Sequence, residues 1–102
     1  ISPCLSKDGT TVYFCSDFLT GHPQIYGFNL QEETLEPITS GGYCACPSYC
    51  PRTNKLAYTK KIQGIMQLCL YDITNKKHVQ LTHDASNKDE CSWSPCGNYL
   101  LV

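Results

Sequence analysis

Cys44, Cys46 and Cys50 form the densest group of chemically capable side chains in this chain, spaced Cys-x-Cys-x-x-x-Cys. Thiols this close in sequence can pair as a disulfide or hold a soft metal ion. With Cys4, Cys15, Cys69, Cys91 and Cys96 the cysteine total is 8. A zinc site favours paired Cys-x-x-Cys, and the chain has none,. A third reading needs no chemistry. Cysteine is small and easily buried, so it can occupy positions that related segments fill with serine. Cys4 aligns with Ser48 and Ser92, and Cys50 aligns with Ser6 and Ser94.

The remaining candidates are scattered. His22 and His83 fall in loops and His78 at a strand start, a placement that suits ordinary surface residues better than metal ligands,. Asp17, Asp84, Asp89 and Glu90 are loop carboxylates. A hard cation such as calcium wants several converging oxygens, and these four would supply them if the fold gathered them in a channel. No Gly-x-Ser-x-Gly elbow, glycine-rich phosphate loop or His-Glu-x-x-His is present,. The chain is therefore expected to be non-enzymatic, with no catalytic residue, no resident metal and no cofactor other than that calcium option.

What must position these residues is a repeat. Pro3–Phe14, Pro47–Tyr58 and Cys91–Val102 are three versions of one stretch, set at an interval of about 44 residues,. The formal net charge of −1 and the lack of long like-charge runs argue against nucleic acid and anionic membranes as partners,. No window is apolar enough to span a bilayer, so no direct membrane insertion is expected,. The chain opens on Ile1 inside one copy and stops at Val102 within an apolar run, as if both ends were cut from something longer.

Within each copy the signals are those of strands. Cys4–Ser6 and Thr11–Ser16 read as a hairpin around Asp8-Gly9,. Gln24–Leu30 and Leu35–Thr39 follow, the last predicted at a sheet edge because Pro37 cannot donate to a ladder,. The second copy repeats the order, with strands at Lys55–Thr59, Gln67–Ile73 and His78–Thr82. Gly42–Ala45 and Asn87–Glu90 read as the loops leading into the second and third copies. Four short antiparallel strands per repeat is the arithmetic of a propeller blade. Val12 and Phe14 on one face, with Tyr13 and Cys15 on the other, suit a sheet covered on both sides,. The expectation is an all-β propeller fragment: two four-stranded antiparallel blades plus the first hairpin of a third. Its repeats are placed at residues 1–43, 44–87 and 88–102.

Trp93-Ser94-Pro95, Asp8-Gly9, Gln24-Ile25-Tyr26, Asp72-Ile73 and Leu81-Thr82 together resemble the WD40-like repeat of TolB propellers. Cys96, Arg52-Thr53 and Leu5 depart from that pattern without disturbing the period. The resemblance implies part of a six-bladed propeller in a periplasmic protein of the Tol-Pal system. Such a protein would bind a peptidoglycan-associated lipoprotein, and serve outer-membrane integrity, envelope constriction at division and colicin-type import. The alternative is an accessory propeller of a prolyl-oligopeptidase-like serine peptidase. In a propeller, loops before the innermost strands line the channel mouth. That makes Tyr43, Cys44, Asn87, Lys88 and Asp89 the candidate partner-binding residues, with Tyr43 as aromatic anchor. Plain solvated connectors are the competing reading of the same loops. Trp93, in a slot filled elsewhere by Tyr49 and Leu5, is expected to pack. Two blades cannot close a ring, so exposed blade faces should drive self-association.

Overall fold

The computed structural model describes residues 3–88 and 90–101. Among these residues the elements are strands in the order β1 (Cys4–Leu5), β2 (Thr11–Ser16), β3 (Gln24–Asn29), β4 (Thr34–Pro37), β5 (Cys44–Cys50), β6 (Lys55–Ile62), β7 (Ile65–Asp72), β8 (Lys77–Gln80), β9 (Ser92–Trp93) and β10 (Leu100–Leu101). Strands β1 to β4 make one antiparallel sheet in sequence order, β5 to β8 a second, and β9 and β10 a hairpin. Pro37 lies on β4, the outer edge of its sheet, where its missing N–H costs no ladder bond,.

The repeat is visible bond by bond. Cys4 pairs with Tyr13, Ser48 with Ala57, and Ser92 with Leu101, the same register in each copy. Ser6 and Ser94 build the same turn. Each donates its backbone N–H to the far strand, and its hydroxyl accepts from Thr11 N or Tyr99 N at 3.0 and 3.1 Å. Gly9 and Gly97 take the left-handed position of these turns, at φ 74° and 76°,. Where the second copy has Arg52-Thr53 in place of Asp-Gly, that conformation moves one residue on, to Asn54 at φ 54°. Asparagine tolerates it better than most residues.

Two boundaries differ from the sequence reading. Strand β5 begins at Cys44, inside the stretch read as the loop Gly42–Ala45, because a bulge carries pairing past Pro47. Ala45 pairs with Thr59 and Ser48 with Ala57, leaving Cys46 and Pro47 opposite Tyr58 alone,. Cys46 takes φ 56° to make this possible. Strands β6 and β7 also run on to Ile62 and Ile65, closed by Gln63 and Gly64 with φ 51° and 82°. Two successive positive φ values match the right-handed twist of the strands they join. Lys60-Lys61 disguises the strand's continuation, because only one face of it is apolar there.

The core lies between the two sheets. Tyr13 and Ile25 of the first pack with Cys44, Leu56, Tyr58, Cys69 and Tyr71 of the second. Tyr13 stacks on Tyr49 at 5.9 Å between ring centroids. The opposite face of the first sheet carries Phe14, Tyr26 and Phe18, with centroid spacings of 5.7 and 5.4 Å to Tyr26. The hairpin of β9 and β10 packs on the far side of β5. There Trp93 donates from Nε1 to the Ser48 carbonyl at 2.8 Å, in keeping with the expected packing role. Gly97 sits so close to Cys50 that a Cβ would lie 2.8 Å from its sulfur.

Candidate functional site

Each inner strand is hooked to the sheet before it. Cys44 N donates to the Pro23 carbonyl at 2.9 Å, and Lys88 N to the Met66 carbonyl at 2.9 Å. These hooks fix the segments Tyr43–Cys44 and Asn87–Lys88 at one end of the sheets, beside the turn of Gln63 and Gly64. An open groove of about 590 Å³ lies there, lined by Tyr43, Lys61, Met66, Asn87, Lys88 and Glu90 among others.

Tyr43 is 41% exposed, with Lys61 Nζ 6.0 Å from its ring centroid. Its carbonyl accepts from Lys61 N at 2.8 Å, so strand β6 holds the aromatic ring on the rim. Asn87 uses Oδ1 to accept from Met66 N at 2.8 Å. The groove therefore offers an aromatic face, a cation above it, a thioether and a carboxylate. That set, with the Cys46 thiol also in the lining, suits a peptide chain,.

The structure redistributes the expected partner residues. Tyr43 and Asn87 do line one groove. Cys44 does not face a partner: it is the first residue of β5 and is buried against the core, because the bulge extends that strand backwards. Lys88 is buried too, its ammonium held by the Asp84 carboxylate and by the Ser86 carbonyl and hydroxyl. Asp89 lies outside the described residues. Lys61 and Met66 were missed because the sequence reading ended β6 and began β7 too far from their turn. The Lys60-Lys61-Ile62-Gln63-Gly64 run, read as alternation into a positive-φ turn, carried that signal.

Among the described residues, the loop carboxylates Asp17, Asp84 and Glu90 do not gather with other metal-ligating side chains. Asp84 is held down to about 2 by its hydrogen bonds to Lys88 and Ser86, and is committed to that loop. Asp17 caps its own turn through a carbonyl bond from Gly21 N. Among the described residues no three His, Cys, Asp or Glu side chains converge as metal ligands would. Cys44, Cys46 and Cys50 share strand β5 without forming such a cluster, and no disulfide joins the described cysteines. His22 and His83 are exposed in loops. His78 packs on Tyr71 with ring centroids 4.3 Å apart.

The profile of the TolB beta propeller domain matches residues 1–102. A TolB homologue of Chlorobaculum tepidum is 30% identical over 70 residues, covering 69% of this chain and 16% of that protein. The crystal structure of TolB from Acinetobacter baumannii superposes with a TM-score of 0.79 at 26% identity, covering 98% of this chain and 25% of its own. A structure from Agrobacterium tumefaciens assigned to TolB gives a TM-score of 0.83 at 20% identity, covering 94% of this chain and 35% of its own. The chain thus spans a minor part of each relative's length.

Proposed function

The chain belongs to the TolB β-propeller family, and from that premise we propose that it is a non-catalytic protein-binding segment of the periplasmic Tol-Pal system. Its partner is a peptidoglycan-associated lipoprotein, and its role is in outer-membrane integrity, constriction at division and colicin-type import. The observation that carries this reading is the rim of the open groove. There an exposed aromatic ring lies under a lysine, beside an amide, a thioether and a carboxylate. Exposed aromatic anchors in such settings supply much of the energy of protein association. The same chain self-associates through blade faces that no neighbour covers. No resident cofactor enters this reading.

Titration calorimetry against the soluble domain of a peptidoglycan-associated lipoprotein tests it. The chain binds, and Tyr43→Ala weakens binding about tenfold or more, equivalent to about 1.4 kcal/mol. Lys77→Ala, on the edge strand β8, leaves affinity unchanged. Absence of binding, or an affinity indifferent to Tyr43→Ala, overturns the assignment.

A further inference from the structure

A second groove, of about 440 Å³, runs along β5 and is lined by Cys4, Cys46, Pro47, Glu90 and Cys91 among others. Its three thiols come from three successive repeats. Each flanking thiol reaches the bulge of β5: Cys4 Sγ donates to the Pro47 carbonyl at 3.5 Å, and Cys91 Sγ to the Cys46 carbonyl at 3.9 Å. The two acceptors are neighbours in sequence because the bulge turns this backbone toward the groove. Cys46 makes the turn with φ 56° although proline follows it, a backbone state that non-glycine residues seldom adopt,.

We propose that this groove is a redox site in which Cys46 and Cys91 join as a disulfide that staples the third repeat onto the second. The partner choice follows from reach. Cys91 shares the groove with Cys46 and touches the carbonyl of Cys46 itself, whereas Cys15, whose sulfur also bonds the Cys46 backbone, is not part of that lining. Cys4 touches the next residue along. Among the neighbouring groups that push the Cys91 thiol up, to about 11 behind the larger effect of burial, Cys46 precedes Cys4 and Glu90. The oxidant is a small-molecule disulfide. The Cys46 thiolate attacks one of its sulfurs, the small S–S bond breaks, and one small thiolate leaves and takes a proton. The Cys91 thiolate then attacks the Cys46 sulfur of the mixed disulfide and expels the second small thiolate. Two protein thiols lose two electrons and two protons, and the small disulfide gains both. Burial of Cys91 makes the second step the slower one at neutral pH.

The groove beside Tyr43 shares Cys46 and Glu90 with this one, but the link is read by mass with no partner bound there. Its test is peptide mapping after incubation with oxidised glutathione, with remaining thiols alkylated and digestion done without reduction. The chain loses two hydrogens and yields a linked peptide carrying Cys46 and Cys91. Cys96→Ser, at an exposed turn, keeps the link, and Cys91→Ser abolishes it. If Cys91→Ser does not fold, the unsubstituted map decides alone. A link between any other pair, or full alkylation of all 8 cysteines after oxidation, overturns the proposal.

Discussion

Thr39 shows at the scale of one residue why the repeat spells Gln-(Ile/Leu) and later (Ile/Leu)-Thr. Its hydroxyl accepts from Ile25 N at 3.0 Å and donates to Gln24 Oε1 at 2.7 Å. Gln24 in turn spends its amide on the Gly42 carbonyl at 2.6 Å. Thr82 and Gln67 reproduce the pattern in the second repeat. Leu68 N lies 2.8 Å from Thr82 Oγ1, Thr82 Oγ1 is 2.7 Å from Gln67 Oε1, and Gln67 Nε2 is 2.6 Å from the Asp84 carbonyl. Thr39→Val keeps the shape and strands two buried partners, Ile25 N and Gln24 Oε1. Such orphans cost about 1–3 kcal/mol. The expected result is a lower denaturant midpoint with an unchanged slope. Thr82→Val costs less, because its site is only partly buried.

At the scale of the element, β8 is an edge strand held partly by one imidazole. His78 Nδ1 lies 2.8 Å from Tyr58 Oη, and its ring stacks on Tyr71. Burial holds its basicity below the ordinary 6.5, Lys60 adds to this, and the Ile38 backbone partly opposes it. A base depressed by folding takes up its proton more readily when unfolded. Its contribution to stability is therefore complete above about 6.5 and is lost as pH falls from there through the folded value. The residue is only partly buried, so water screens part of the effect,. Urea midpoints measured from pH 7 down to pH 5 should fall more for the parent chain than for His78→Phe. Equal slopes would count against this role.

At the scale of the molecule, two sheets and a hairpin stack with one face of the first sheet uncovered. The pairings Leu5↔Val12, Val12↔Phe28 and Phe28↔Leu35 draw an apolar row across all four strands of that face. The equivalent row in the second sheet, Tyr49, Leu56, Tyr71 and His78, is the one that packs on the first sheet. The uncovered row thus has the register of a blade interface, and we propose that a second copy of the chain docks on it. Such a contact is head-to-tail rather than self-complementary. Sedimentation equilibrium should show mass rising with concentration, and Leu35→Lys should return the chain toward the monomer. A monomer at every concentration would sink this expectation.

Much of the candidate groove was legible in the chain, and the rest was hidden by two features of the strands. Tyr43 and Asn87 were found because they precede inner strands. Lys61 and Met66 were lost where β6 and β7 outrun their apolar runs, and Cys44 was placed in a loop because no local signal announces a bulge before Pro47.

The order of residues alone determined the period, the strand succession, the turn at Asp8-Gly9 and the family resemblance, since each rests on patterns a few residues long. Only the tertiary structure decided which thiols meet, which lysine is buried and which rim is open. Those outcomes depend on where segments some 40 residues apart in the chain are brought side by side, and that placement is made by sheet packing and by the bulge at Cys46,.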